Sequence, residues 1–316
     1  MTTTAAPPGV TGQNVVPVRH PGRWVGGVVV LVLLALLLYK LATLSTIHYP
    51  SITKYLFQRS IVQGVVTTVE LAVVSQLIGV ALGTLLATMR LLHNPVLSAV
   101  SWAYIFFFRG TPLIVQILFW YNGLLELLPR AITLGVPGLT LYDGLTSDLL
   151  SLFLAAVLAL ALNEAAYMAE IVRAGILSVD SGQTEAAEAL GMTPGKVLRR
   201  IVLPQAMRVI IPPTGNEFIS MLKNTSLVVV IGQTELLGRT QAIYSQSSEV
   251  FELLVMASLW YLALTSVGYV GQYYLERRFA RGSFRDLPPT PLQRLRGMRP
   301  AGRRAAQPAL TDGSSR

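Results

Sequence analysis

The sequence predicts an all-α, polytopic membrane protein with six transmembrane helices. Three observations carry that expectation. Of 316 residues, 52% are apolar and only 13% charged, against about 25% charged in soluble domains. Six apolar stretches are each long enough to cross a bilayer, because about 20 residues at roughly 1.5 Å rise span the hydrocarbon core. Lysine and arginine also fall unevenly on the two sides of those stretches, as the positive-inside rule requires.

Residues 1–20, rich in Thr, Pro and Gly, read as a disordered cytoplasmic leader. The first stretch, Val25–Ile47, is too long for the apolar segment of a cleaved signal. Residues 21–59 therefore form an N-terminal transmembrane helix and an exposed loop. The second stretch, Ile61–Met89, contains Gly79-Val-Ala-Leu-Gly83, a small-residue packing pattern whose partner helix the sequence does not name. The third, Ser98–Leu128, leads into the exposed connection Pro129–Ser147, and the fourth is Leu149–Leu177. The fifth, Pro204–Gly232, carries Pro212, Pro213, Glu217 and Lys223, and reads as broken, tilted or lined by protein rather than lipid. The sixth is Phe251–Leu275. Residues 278–316 form an Arg/Pro-rich cytoplasmic tail, whose prolines oppose a long helix.

The formal charge of +9 is concentrated at the C-terminus. Residues 277–316 hold ten Lys/Arg and two acids; the rest holds fifteen Lys/Arg against fourteen acids. A body so close to neutral does not supply a broad phosphate-contacting surface, which excludes a nucleic-acid-binding body. Six spans place both termini on one side, with eighteen Lys/Arg against five on the other. That side is the cytoplasm, and the chain sits in a bacterial cytoplasmic (inner) membrane. With no cysteine, there is no disulfide, thiol nucleophile or Cys-ligated metal; the three histidines are far apart, so no metal site is expected.

The longest cytoplasmic connection runs over about 178–203. Gln183–Leu190 is strongly helix-forming, with Thr184 a candidate cap and Glu185 and Glu188 where the helix dipole favours acids. Gly191 stops that helix, and Thr193-Pro194 starts a second short one with Pro near its first position. The loop is too polar to enter the bilayer and too ordered for a linker. It holds no nucleotide site: in Gly191-Met-Thr-Pro-Gly195-Lys196-Val197 three residues separate the glycines, and Val follows the lysine.

This loop resembles the signature of permease subunits in ATP-binding-cassette importers. Glu185-Ala186-Ala187 is followed by three residues and Gly191, then by nine more to Ile201, with Leu203-Pro204 closing the pattern. Arg109-Gly110-Thr111-Pro112-Leu113, the run from Asn163 to Gly175, and Asn224-Thr225-Ser226-Leu227 look like segments of the subfamily that imports polar amino acids (histidine, glutamine or arginine type). The resemblance covers about residues 60–277 and implies a type I importer permease fold. It implies a second permease chain, cytoplasmic ATPase subunits in a groove of which the loop sits, and an extracytoplasmic binding protein that delivers the solute. It assigns ATPase coupling to Glu185, Ala186, Ala187, Gly191, Ile201, Leu203 and Pro204. No cofactor is expected in this chain, and ATP-Mg belongs to the partner ATPase. No catalytic residue is expected.

Charges inside apolar stretches mark a site or a pairing within the bundle. Arg109 suits an amino acid's α-carboxylate, or an ion pair with Glu70 or Glu170. Glu164 and Glu170 point about 120° apart on one helix, and each is a candidate for an α-ammonium group. Glu170 equally fits a helical pair with Arg173. Gln183 is a candidate for the cytoplasmic end of the pathway, while Glu70 and Gln76 read as packing groups. The rival readings are a stand-alone secondary transporter or channel, which has no use for such a loop and shows no internal repeat here, and a membrane scaffold, which has no use for intramembrane charges.

Overall fold

The computed structural model describes residues 21–43, 48–92, 94–129, 131–136, 139–145 and 151–279. The leader over 1–20, the end of the first predicted span over 44–47 and the tail over 280–316 lie outside the described residues. The chain divides into two units, Met1–Pro50 and Ser51–Arg316.

The first unit contributes α1 (Pro21–Thr43). Its apolar section Val25–Leu37 has no polar face, and Val25, Leu31 and Leu36 are all exposed. A helix apolar all round suits lipid. Helix α2 (Tyr49–Leu56) begins at the unit boundary.

The second unit is built on α3 (Arg59–Leu91) and α6 (Leu152–Leu177). Lipid tails are as apolar as leucine, so helices in a bilayer associate through close packing and polar bonds rather than through water exclusion. The α3–α6 contact shows both. A Cβ on Gly79 would stand 2.5 Å from the Glu164 Cγ, and one on Gly83 would stand 2.5 Å from the Met168 Cβ. The small-residue pattern of the second stretch thus exists for α6. Across the same contact, Gln76 Nε2 donates to Glu164 Oε1 at 3.1 Å. A dry layer of Leu71, Ala72, Ala156, Leu160, Met221 and Val228 continues this contact.

The third predicted stretch is not one straight span. It comprises α4 (Pro95–Gly110) and α5 (Leu113–Leu127), bent by 104° at a two-residue break. The cause is local: Pro112 has no N–H and forces the residue before it into extended backbone, and Thr111 sits at φ −112, ψ 144. Helix α4 is held to its neighbours by hydroxyls, with Ser101 donating to Leu86 O and Tyr104 to Leu162 O, each at 2.8 Å.

The connection after α5 contains the strands of the described chain. Strands β1 (Ala131–Val136) and β2 (Leu139–Leu145) pair antiparallel, Ala131 opposite Leu145, with an irregularity between Leu134 and Gly135. The described elements are otherwise helical, so this small hairpin is an addition to the all-α architecture.

Beyond α6 the loop forms α7 (Ser181–Ala189) and α8 (Pro194–Val197). Then come α9 (Leu203–Asn224), a 3₁₀ turn (Thr225–Ile231), α10 (Leu236–Ser247) and α11 (Val250–Phe279). By length and composition α3, α6 and α11 can each cross a membrane, and counting the bent pair α4–α5 as one span brings the number among the described residues to four. The fifth predicted stretch is helical as α9 but interrupted by Arg208, Pro212, Pro213, Glu217 and Lys223.

Helix α10 is anchored by Glu235, which is fully buried. Its carboxylate accepts from Tyr261 Oη at 2.7 Å, Thr68 Oγ1 at 3.1 Å and the Gly238 N–H at 2.9 Å. One side chain so caps α10 and ties it to both α3 and α11.

Candidate functional site

The break between α4 and α5 positions the first site residue. Arg109 lies in the last turn of α4, just before Gly110-Thr111-Pro112. Its guanidinium carbon lies 5.1 Å from the centroid of the Tyr167 ring on α6, within cation–π range. Arg109 makes no hydrogen bond or ion pair to a described residue. The alternative of an ion pair with Glu70 or Glu170 is therefore not what this structure shows.

Arg109 and Tyr167 line a cavity of about 330 Å³ together with Glu170, Pro213 and Glu217. Glu217 comes from α9, one turn beyond the Pro212-Pro213 pair. The cavity brings together a guanidinium, an aromatic face and a carboxylate from three separate helices. Arg109 and Glu217 attract one another electrostatically without forming an ion pair. A cation fork and a carboxylate held apart are complementary to a zwitterion, whose carboxylate and ammonium carry the opposite signs.

The remaining candidates fall elsewhere or are already engaged. Glu170 reaches the cavity wall, but both its oxygens are taken: Oε1 by Arg90 Nη1 at 2.5 Å, Oε2 by Arg173 Nη2 at 2.8 Å. That double pair ties the ends of α3 and α6 together. Glu164 does not line the cavity; it is buried against α3, bonded to Gln76. Gln183 sits exposed on α7 and does not line the cavity either. The sequence names Glu217 only among the residues that interrupt the fifth stretch, not as a site candidate, and gives Tyr167 no role. A signal existed for Glu217, an acid one helical turn after two prolines in an otherwise apolar stretch.

A polar cluster braces the break itself. Gln116, 4% exposed, donates through Nε2 to Phe108 O at 2.9 Å and to Thr111 Oγ1 at 2.7 Å. Asn163 on α6 donates through Nδ2 to the same Phe108 O and to Gln116 Oε1, each at 3.1 Å. Carbonyls freed by a broken helix must be satisfied from within at membrane depth, and these two amides do so.

The loop is a second candidate element. Helix α7 is capped by Asp180, whose Oδ1 accepts from the Gly182 N–H at 2.7 Å. The helix therefore starts before Thr184, which is not its cap. Its end is a Schellman motif. Gly191 sits at φ 77, its N–H bonds Glu188 O at 2.8 Å, and the Met192 N–H bonds Ala187 O at 3.1 Å. Pro194 starts α8, as its fixed φ favours. Ala187, Val197 and Val202 are buried together, with Ile176, Val179, Met192 and Ile201 packed against them. The loop is thus a small folded body with its own core.

This core sorts the motif residues. Ala187 and Ile201 face inward and Gly191 makes the turn, whereas Glu185, Ala186, Leu203 and Pro204 are exposed. Leu190, at the end of α7, is 84% exposed. A large apolar side chain at the tip of a polar loop marks a contact surface.

Comparison with known proteins follows the same lines. Residues 79–281 match the family model described as binding-protein-dependent transport system inner membrane component. The arginine transport system permease protein ArgU of Corynebacterium glutamicum is 48% identical over 272 residues, 86% of this chain and 84% of that protein. The probable amino-acid ABC transporter permease protein PatM of Vibrio harveyi is 36% identical over 68% of this chain and 91% of its own. Among solved structures, one described as an amino acid ABC transporter with histidines is 36% identical. It superposes with a TM-score of 0.63 over 74% of this chain and 99% of its own.

Proposed function

The chain belongs to the family of inner membrane components of binding-protein-dependent transport systems, and from that premise we propose that it imports polar amino acids as the permease subunit of an ATP-driven transporter. The observation that carries the substrate class is the cavity in which Arg109 and Glu217 stand unpaired around Tyr167. Arg109 takes the α-carboxylate and Glu217 the α-ammonium. Glu170 shapes the wall through its pair with Arg90 and Arg173. Glu164 supports the site from the α3 contact, and Gln183 lies toward the cytoplasmic exit. The arginine and amino-acid relatives support this class.

ATP hydrolysis falls to a separate ATPase subunit, which binds ATP-Mg. The loop over 178–203 docks on it through Glu185, Ala186 and Leu190, while Ala187, Gly191 and Ile201 keep the docking surface in shape. Leu203 and Pro204 join it to α9. A second permease chain completes the pathway, an extracytoplasmic binding protein delivers the solute, and both termini face the cytoplasm. Rigidity matters here: a loop that moves as one body transmits displacement of the ATPase to α6 and α9, between which it is inserted.

A panel of amino acids tests the substrate class. Each is presented on its loaded binding protein to the reconstituted transporter, and ATP hydrolysis is measured. Stimulation confined to polar amino acids with free α-carboxylate and α-ammonium groups is expected. Stimulation by sugars or peptides lacking either group contradicts the assignment.

A further inference from the structure

We infer that Asn163 and Gln116 are positioning residues for the substrate cavity, holding the Arg109 guanidinium in place through the broken backbone of the third span. The inference rests on the substrate reading of Arg109 proposed above.

The geometry converges from two sides. Arg109 is the penultimate residue of α4, and the chain turns by 104° just beyond it. Its guanidinium direction therefore depends on how the last turn of α4 is fixed. The carbonyl immediately before it, Phe108 O, accepts two bonds, from Gln116 Nε2 on α5 and Asn163 Nδ2 on α6. Gln116 also bonds Thr111 O at 3.1 Å and Thr111 Oγ1, so it spans the break from one side to the other. Its own oxygen accepts from Asn163. The two amides thus form one unit that locks α4, the break, α5 and α6.

Helix α6 grips Arg109 twice. Asn163 and Tyr167 are four residues apart, so they share one helix face. Asn163 holds the backbone just before Arg109, and Tyr167 lies under its side chain. Replacing Asn163 removes one grip and leaves the other. The last turn of α4 is then held at the Phe108 carbonyl by Gln116 alone, and the guanidinium loses the fixed position from which it shares the cavity with Glu217. A misplaced fork loses bidentate geometry before it loses charge.

The test is a double-mutant cycle on the full transporter, reconstituted with its ATPase and loaded binding protein. The readout is solute imported per ATP hydrolysed, with thermal stability and co-elution with the ATPase as the folding check. Arg109→Gln and Asn163→Leu are each expected to lower this ratio by about tenfold, and the double variant by no more than either single one, because both act through the same contact. Losses that multiply in the double variant overturn the inference, as does a normal ratio for Asn163→Leu. A normal ratio for Arg109→Gln overturns the substrate reading itself; a loss there with none at Asn163 overturns only the positioning role. If Asn163→Leu does not assemble, Thr111→Val, which removes the hydroxyl that accepts from Gln116, enters the same cycle with the same expectations.

Discussion

The Arg109 guanidinium lies 5.1 Å from the centroid of the Tyr167 ring, with no ion pair to any described residue. A charge at membrane depth is costly unless it is paired or has a task. An aromatic face satisfies part of that need, yet leaves the in-plane N–H donors of the fork uncommitted. Glu217 shares the cavity without closing on Arg109. The pair is therefore kept open, and each prediction about transport follows from what fills the gap.

Arg109→Lys should lose most transport although it keeps the charge. Lysine presents a point charge where a planar fork is needed, both for the carboxylate and for stacking on Tyr167. Uptake about tenfold or more below wild type, with unchanged expression and assembly, is the expected result in reconstituted vesicles.

Glu217→Gln and Glu164→Gln should separate. Glu217 lines the cavity, so its neutralisation should lower uptake with little effect on stability. Glu164 is buried against Gly79 and bonded to Gln76. Its amide variant should retain uptake, whereas Glu164→Ala should cost about 1–2 kcal/mol through lost interhelical bonding. Thermal unfolding in detergent, measured beside uptake, checks both.

Gly191→Asp should uncouple the transporter without unfolding the membrane part. The position is at φ 77, where a side chain other than glycine's costs about 1 kcal/mol, and the turn it makes sets the angle between α7 and α8. Insertion and solute-site integrity should persist while ATP hydrolysis no longer responds to loaded binding protein. Normal coupled transport in this variant sinks the assignment of the loop.

Glu235 makes stability pH-dependent. Burial pushes its carboxyl above the usual range, opposed by hydrogen bonds from Tyr261, the Leu237 and Gly238 backbone and Thr68. A raised folded value means that the native state holds the proton more tightly than the unfolded chain. The stabilisation is thus complete below the ordinary carboxylate range and is lost as pH rises through the raised value. Glu235→Gln should flatten that part of the stability profile, measured by thermal unfolding across pH.

Much of this was legible in the sequence because long apolar runs and a spaced loop motif are local signals. Gly191, Pro194 and the buried Ala187 did in three dimensions what their residue types require locally. The bend after Arg109 was missed because apolar residues continue on both sides of Gly110-Thr111-Pro112, so length alone read one span. The strand pair over 131–145 was missed because only cross-strand pairing reveals it. The site was half legible: Arg109 stood out as a charge within a span, but its companions Tyr167 and Glu217 are 58 and 108 positions further along the chain. Only the packing of α4, α6 and α9 brings them to one cavity. Glu170 and Glu164, both conspicuous in sequence, were drawn into pairings with Arg90, Arg173 and Gln76 that periodicity within one helix does not fully specify.

The measurement that bears most directly on the central claim is uptake of labelled amino acid into vesicles containing the purified permease with its ATPase. Uptake that requires ATP hydrolysis, loaded binding protein and an intact 178–203 loop together is the expected result. Uptake at the same rate by the permease alone, with neither ATP nor ATPase, contradicts the account and establishes a self-sufficient carrier or channel instead.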